Sequence, residues 1–245
     1  MAFDKDGNGF TFVFATVMVV IVATLLALAS ISLKPFQQKN VSEEKMQNIL
    51  KTISVDCSRE EAPGIFAEYV KKRVVLDYTS KIISENEGAI DKMDKTDAFN
   101  INTKKEYKGL DENERNYPLY ICEKDGKTYY VIPVVGSGLW GPIWGYIALE
   151  SDLNTVYGAS FAHDKETPGL GAEINTAEFQ AQFPGEQLFD ENGNFVSIKV
   201  IKGGARPEDL HGVDAITGGT ITSNGVTKMI ERTFKVYETY FNTVK

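Results

Sequence analysis

The residues with the clearest chemical potential are Asp214-Ala215-Ile216-Thr217-Gly218-Gly219-Thr220-Ile221-Thr222. Gly218 and Gly219 let the backbone take positive φ and approach a ligand closely. An apolar repeat follows and predicts a helix, whose unpaired first N–H groups and positive dipole end point back at this turn and favour a phosphate there. Thr217 and Thr220 bracket the glycines with hydroxyls. The same residues would also make an ordinary Ser/Thr-rich helix N-cap, so the chemistry rests on what the rest of the chain brings to them.

A second segment, His163-Asp164-Lys165-Glu166-Thr167-Pro168-Gly169-Leu170-Gly171-Ala172-Glu173, follows a predicted strand. Pro168 and the glycines make a tight, exposed turn that holds one apolar residue, Leu170, between polar neighbours. Such a turn suits a planar ring laid against Leu170, with Thr167 and backbone N–H groups at its polar edge. The alternative is a plain surface loop. A third segment runs from Gly136 to Leu149 and sets Trp140 and Trp144 among glycines. Trp140 could stack on a ring, or both indoles could be strand-end packing. His163 and His211 neighbour these segments, where either could tune a bound group or simply lie in a loop.

Asp214 to Thr222 resembles the flavinylation motif Asp-x-x-(Ser/Thr)-Gly-x-Thr-x-(Ser/Thr), whose last core threonine is esterified to the phosphate of FMN; Thr220 holds that place. Glu166 to Gly171 is similar to the Glu-Thr-Pro-Gly-Leu-Gly signature found upstream of that threonine in the FMN-binding domain family. The glycine–tryptophan segment resembles the C-subunit family of sodium-translocating NADH:quinone oxidoreductases; the related G subunit of the Rnf ferredoxin:NAD oxidoreductase is less close here. Two departures stand out: Gly219 replaces a more usual alanine and loosens the loop, and Thr217 replaces serine but keeps the hydroxyl.

The resemblance implies a covalent-FMN electron carrier, one subunit of a membrane complex that exports Na⁺ while passing electrons from NADH to quinone. It implies no complete active site, catalytic residue or metal site on this chain alone. FMN would be installed by a separate, Mg²⁺-dependent flavin transferase that uses FAD. Thr220 would be the acceptor, with Gly218 and Gly219 giving phosphate access and Thr217 and Thr222 capping or bonding the phosphate. Asp214 would be read by the transferase or hold its metal. Glu166, Thr167, Leu170 and Gly171 would contact the ring, with Trp140 beside them. Besides the Rnf subunit, the alternative is a membrane-anchored binding or assembly module without redox activity.

The elements that must position these residues are α+β: a single membrane-spanning helix, then a domain of largely antiparallel strands closed by a C-terminal amphipathic helix. Phe10 to Leu33 is a 24-residue run without a charge. At 1.5 Å per residue it spans roughly 36 Å, enough to cross a bilayer with some tilt. Ala27-Leu28-Ala29 imitates a signal cleavage site, but 17 residues of the run precede it and the lone Lys5 sits between two aspartates, so a retained anchor is expected. Lys34 and Lys39 after the span outnumber Lys5 before it, which places the body in the cytoplasm. The resemblance instead implies the periplasmic side of a bacterial inner membrane.

Three regions follow from this reading: an anchor at 1–34, a helical and irregular connection at 35–116, and the FMN-binding domain at 117–245. Lys34-Pro35-Phe36 should end the span, Ser42 to Val55 should form a separate helix, and Ser58 should begin another through Val70. The charged stretch 84–116 should hold little regular structure. Strands are expected at Leu119–Cys122 and Tyr129–Val135 around a Lys124-Asp125-Gly126-Lys127 turn, and at Ile143–Leu149, Val156–Ala162 and Phe195–Ile201. Ala177–Phe183 should be a short helix. Val226, Met229, Ile230, Phe234, Tyr237 and Phe241 repeat at helical spacing in the last one.

Composition excludes other classes. Net charge is −8 over 245 residues, and the first 34 contribute nothing, Lys5 and Lys34 cancelling Asp4 and Asp6. An acidic body without a basic stripe argues against nucleic-acid binding. Cys57 and Cys122 stand 65 residues apart and make neither a zinc pattern nor a disulfide framework. Asp4-Lys5-Asp6-Gly7-Asn8-Gly9 imitates an EF-hand start, but position twelve is Ala15, inside the span.

Overall fold

The computed structural model describes residues 7–244, in two units that divide between Lys45 and Met46. Asp4, Lys5 and Asp6, invoked for the charge count and the calcium-loop imitation, lie outside the described residues. In the first unit the chain is helical from Asn8, as part of α1 (Asn8–Thr52). This helix is long and apolar enough to cross a membrane, and none of its most apolar window is buried. Hydroxyls within the run bond back to carbonyls of the same helix, Thr16 to Phe12 at 2.8 Å and Thr24 to Val20 at 2.7 Å, so they need no outside partner.

The expected break at Lys34-Pro35-Phe36 does not occur. Helix α1 passes through Pro35, and the helix expected from Ser42 to Val55 is its last stretch. Proline forfeits one backbone hydrogen bond and crowds the carbonyl four residues earlier. That kinks or weakens a helix, and the turns on either side can still carry it through.

The second unit is built on a six-stranded antiparallel sheet in the order β2-β1-β3-β4-β5-β6. The strands are β1 (Val70–Leu76), β2 (Ile82–Glu87), β3 (Tyr117–Lys124), β4 (Lys127–Ser137), β5 (Pro142–Leu149) and β6 (Val156–His163). Asp125 and Gly126 turn β3 into β4 with φ of 52° and 73°. Two consecutive positive-φ residues are what a two-residue hairpin matching the strand twist requires.

Both faces of the sheet are covered, which is why β4 reads as an almost unbroken apolar run. On one face Ile132, Val134, Ile143 and Ile147 pack against α5 (Thr220–Val244). All six residues of the predicted apolar repeat in α5 are buried there. On the other face Tyr120 and Val131 meet Ile49, Leu50 and Ile53 from the end of α1 and Phe66 from α2 (Ala62–Tyr69).

Several local expectations are corrected. Helix α2 begins at Ala62, because Ser58 and Glu61 first close a reciprocal box ahead of it: Ser58 N donates to Glu61 Oε2 at 3.0 Å and Glu61 N to Ser58 Oγ at 3.4 Å. The charged stretch 84–116 is ordered. It carries most of β2, helix α3 (Thr103–Gly109) and a 3₁₀ turn at Glu112–Glu114. Arg73, fully buried on β1, holds it by pairing with Asp97 through Nε at 2.9 Å and Nη2 at 2.9 Å, while Nη1 donates to Gly88 O at 2.8 Å. Charge density suggested a solvated excursion; its Asp97 is instead an internal fastener. Helix α4 spans only Ala177–Gln180. The strand expected from Phe195 is limited to β7 (Lys199–Ile201), which pairs in parallel with β8 (Gly212–Asp214).

Candidate functional site

Three segments meet where α5 begins: the connection 138–141 between β4 and β5, the turn 164–171 after β6, and the loop 215–219 ahead of α5. Antiparallel pairing puts the first two at the same end of the sheet, since Ser137 pairs with Pro142 and Ile143 with His163. The third is brought there by close packing of α5 on β4. A Cβ on Gly136 would lie 2.8 Å from Met229 Cβ, and one on Gly225 would run into the Ser137 carbonyl.

Glu166 joins the three. It is 5% exposed; its Oε2 accepts from Thr222 Oγ1 at 2.6 Å and its Oε1 from Trp140 N at 2.8 Å. Two glycines make room for this carboxylate. A Cβ on Gly138 would stand 2.6 Å from Oε1, and one on Gly171 would strike Oε2 and come within 2.5 Å of Thr222 Oγ1. Glu166 and Gly171, expected against a ring, thus lie inside and behind the surface. The Thr222 hydroxyl, expected at a phosphate, is committed to Glu166.

The outer surface carries the other predicted residues. Thr217 and Thr220 are exposed. Thr220 opens α5, so the N–H groups of that first turn lack helical carbonyl partners. Gly218 has φ of +77°, and a Cβ there would lie 2.5 Å from Leu170 Cδ2. Gly219 is buried, its N–H donating to Ile216 O at 2.9 Å. Leu170 is 41% exposed and Trp140 63% exposed, with Leu139 and Ile221 also open to solvent. Two of the three segments and the first turn of α5 thus expose large apolar side chains, the kind of surface a ligand can cover. Thr167 is exposed too, and its carbonyl accepts from Leu170 N at 3.1 Å and Ala172 N at 3.2 Å, closing the turn that presents Leu170.

Asp214 stands apart from this cluster in its bonding. Its Oδ1 accepts from Ala205 N at 2.7 Å, and its own N–H donates to Gln182 Oε1 at 2.8 Å, so it fastens the loop at 203–205. His211 Nδ1 lies 2.8 Å from Gln187 O. His163 ends β6 beside the turn, with Nδ1 buried and unpaired. Among the described residues, no group of three or more His, Cys, Asp or Glu could hold a metal ion.

Sequence reasoning missed three contributors. Ser223 is buried; its Oγ accepts from Ile216 N at 3.2 Å and its N–H donates to Gly219 O at 2.9 Å, closing the loop that presents Thr217 to Thr220. A serine three residues past Thr220, in the first helical turn, was the available signal. Tyr107 of α3 and Arg232 of α5 support the end of β4: Tyr107 OH lies 3.2 Å from Ser137 Oγ, and Arg232 Nη2 donates to Val135 O. Burial pushes the Tyr107 phenol up, but the Ser137 bond and the guanidiniums of Arg232 and Arg115 together leave it below the ordinary value. No local pattern announces that cluster.

Comparison with known proteins gives this geometry a family. Residues 138–235, which hold all three converging segments, match the model of the FMN-binding domain family. The C-subunit of the Na(+)-translocating NADH-quinone reductase of Vibrio vulnificus is 31% identical over 212 residues, 84% of this chain and 83% of that protein. Its counterpart in Neisseria meningitidis serogroup B is 31% identical over 91% of this chain and 88% of its own length. The crystal structure of the Parabacteroides distasonis C-subunit superposes with a TM-score of 0.73 at 35% identity, covering 85% of this chain and 96% of that one. With one fold and alignments that run over most of both chains, the chain belongs to the C-subunit family of the Na(+)-translocating NADH-quinone reductase.

Proposed function

We propose that this chain is an FMN-bearing electron carrier of a Na⁺-exporting NADH:quinone reductase and that Thr220 holds the FMN through a phosphoester. The observation that carries the reading is the exposed Thr220 on the first turn of α5, two residues after Gly218, which Leu170 of the turn after β6 packs against. Bound FMN would supply the redox chemistry, and the chain would supply position and electrostatics. The N–H groups opening α5 and its dipole would stabilise the phosphate, and the positive φ of Gly218 brings backbone close to it. Leu170, Trp140 and Ile221 would cover apolar faces of the ring, and Thr217 would offer a hydroxyl. Glu166, Gly171 and Thr222 would hold this surface from behind, and Asp214 would order the loop that a transferase approaches.

Attachment would use FAD and a separate Mg²⁺-dependent transferase. In that attachment Thr220 would supply the Oγ that takes up the flavin-bearing phosphate and would give up its hydroxyl proton, with AMP as the leaving group. Helix α1 would anchor the chain as a single span, with the flavin-bearing part within 117–245 on the periplasmic side. Lys34 and Lys39 count toward the opposite orientation, yet long domains translocate largely regardless of charge.

The test is the peptide mass of the chain purified from its own membranes. FMN on the peptide containing Thr220 is expected, and its loss in Thr220→Val. An unmodified peptide from cells with an active flavin transferase would reduce the segment to a helix cap.

A further inference from the structure

Glu166 is a carboxylate 5% exposed, and it takes part in none of the ion pairs among the described residues. Burying an acid in this way is unfavourable unless its oxygens are well satisfied, so a residue serving only packing would more readily be apolar. Two hydrogen bonds satisfy it, and they reach segments 26 and 56 residues away in the chain. A Cβ on Gly138 or on Gly171, in two of the converging segments, would run into this one carboxylate.

We propose that Glu166 is a positioning residue that assembles the attachment site before flavin arrives, aiming Thr220 outward by holding Thr222 inward. This rests on the reading of Thr220 as the acceptor. The N–H groups of the first residues of a helix have no carbonyl partners within it, and the end frays unless something fastens it. Residues two apart on a helix point about 200° from each other. Fixing Thr222 in the interior therefore sets Thr220 toward solvent, and the two are buried and exposed respectively. The other oxygen of the same carboxylate anchors the backbone at Trp140, whose indole and neighbour Leu139 form part of the apolar surface. One side chain thereby sets both the acceptor and the surface beside it.

The bonds, rather than the charge, carry this role. Glutamine can accept from Trp140 N with its oxygen and donate from its amide to Thr222 Oγ1, because a hydroxyl serves as donor or acceptor. Alanine leaves the part-buried Trp140 N–H and the buried Thr222 hydroxyl without this partner. The experiment is a time course of flavin attachment on the full chain co-expressed with a flavin transferase, read by intact mass. Hydrogen exchange at the Trp140 amide of the unmodified chain is followed in detergent alongside it. Wild type, Glu166→Ala, Glu166→Gln and Thr222→Val are compared.

Glu166→Ala and Thr222→Val should acquire flavin about tenfold more slowly, as expected for losing a buried hydrogen bond, and Glu166→Gln within about twofold of wild type. Glu166→Ala should also lose protection at the Trp140 amide. Attachment to Glu166→Ala at the wild-type rate, or to Glu166→Gln as slowly as to alanine, would overturn the proposal. Should Glu166→Ala not fold, Thr222→Val decides: it removes one hydroxyl, and an unchanged rate overturns the proposal while a slowed one supports it. Wild type left unmodified at Thr220 would instead overturn the acceptor assignment.

Discussion

The side chain of Leu170 occupies the place a Cβ on Gly218 would need, with Leu170 Cδ2 2.5 Å from that position. This interlocks the turn after β6 with the loop ahead of α5, and it does so at a residue whose φ is +77°. Gly218→Ala should therefore cost about 1–2 kcal/mol from the left-handed backbone alone, with a further loss from displacing Leu170. Urea unfolding of the full chain in detergent measures the sum. Adding Leu170→Ala should recover the second part and leave the first. Equal midpoints for the single and double variants would mean the contact does not matter.

Leu170→Asp addresses the ring rather than the loop. Leu170 is 41% exposed, so the change should leave attachment at Thr220 largely intact while shifting the flavin absorption spectrum and slowing electron transfer. Unchanged spectra and turnover would remove Leu170 from the site.

Thr220→Val should abolish covalent flavin and alter stability by less than about 1 kcal/mol, since the side chain is exposed and the replacement nearly isosteric. In-gel fluorescence after denaturation reads the first effect and a thermal melt the second. A fluorescent Thr220→Val band would mean another residue is the acceptor.

The Arg73–Asp97 pair fastens the stretch after β2. Asp97→Ala leaves a buried guanidinium uncompensated and should destabilise the second unit by about 3–5 kcal/mol. Replacing both partners with leucine should cost less than the single change, because no lone charge remains. Denaturant midpoints of the three chains test this ordering, and a double variant weaker than Asp97→Ala would contradict it.

Alkaline pH should destabilise the fold through buried acids. Burial pushes the Cys122 thiol from 9.0 up to about 12. Burial, and after it the Glu112 carboxylate, pushes the Tyr117 phenol from 10.0 up to about 12. Both groups are neutral when protonated, and the folded chain holds its protons to higher pH than the unfolded one. Their contribution is complete below the unfolded values and declines as pH rises from about 9 toward 12. Urea midpoints should fall between pH 8 and pH 10.5, and a midpoint constant across that window would refute the assignment.

What the sequence by itself determined is the part governed by neighbours along the chain. The apolar repeat in α5, the uncharged run in α1 and the Asp125-Gly126 turn are local signals, because helical period, helix length and positive φ are properties of a few adjacent residues. The Thr/Gly segment and the turn at 166–171 stood out through their resemblance to short family motifs, which are likewise runs of adjacent residues. Tertiary structure alone decided that Arg73 would find Asp97 24 residues on, turning an apparent surface excursion into part of the fold. It alone decided that Glu166 would bond Thr222 rather than face outward, that Ser223 would hold the loop ahead of α5, and that Arg232 would support the end of β4. These bonds join residues whose separation in sequence carries no periodic or steric mark. Their energy exists only once the sheet and α5 have brought the partners together and shut water out.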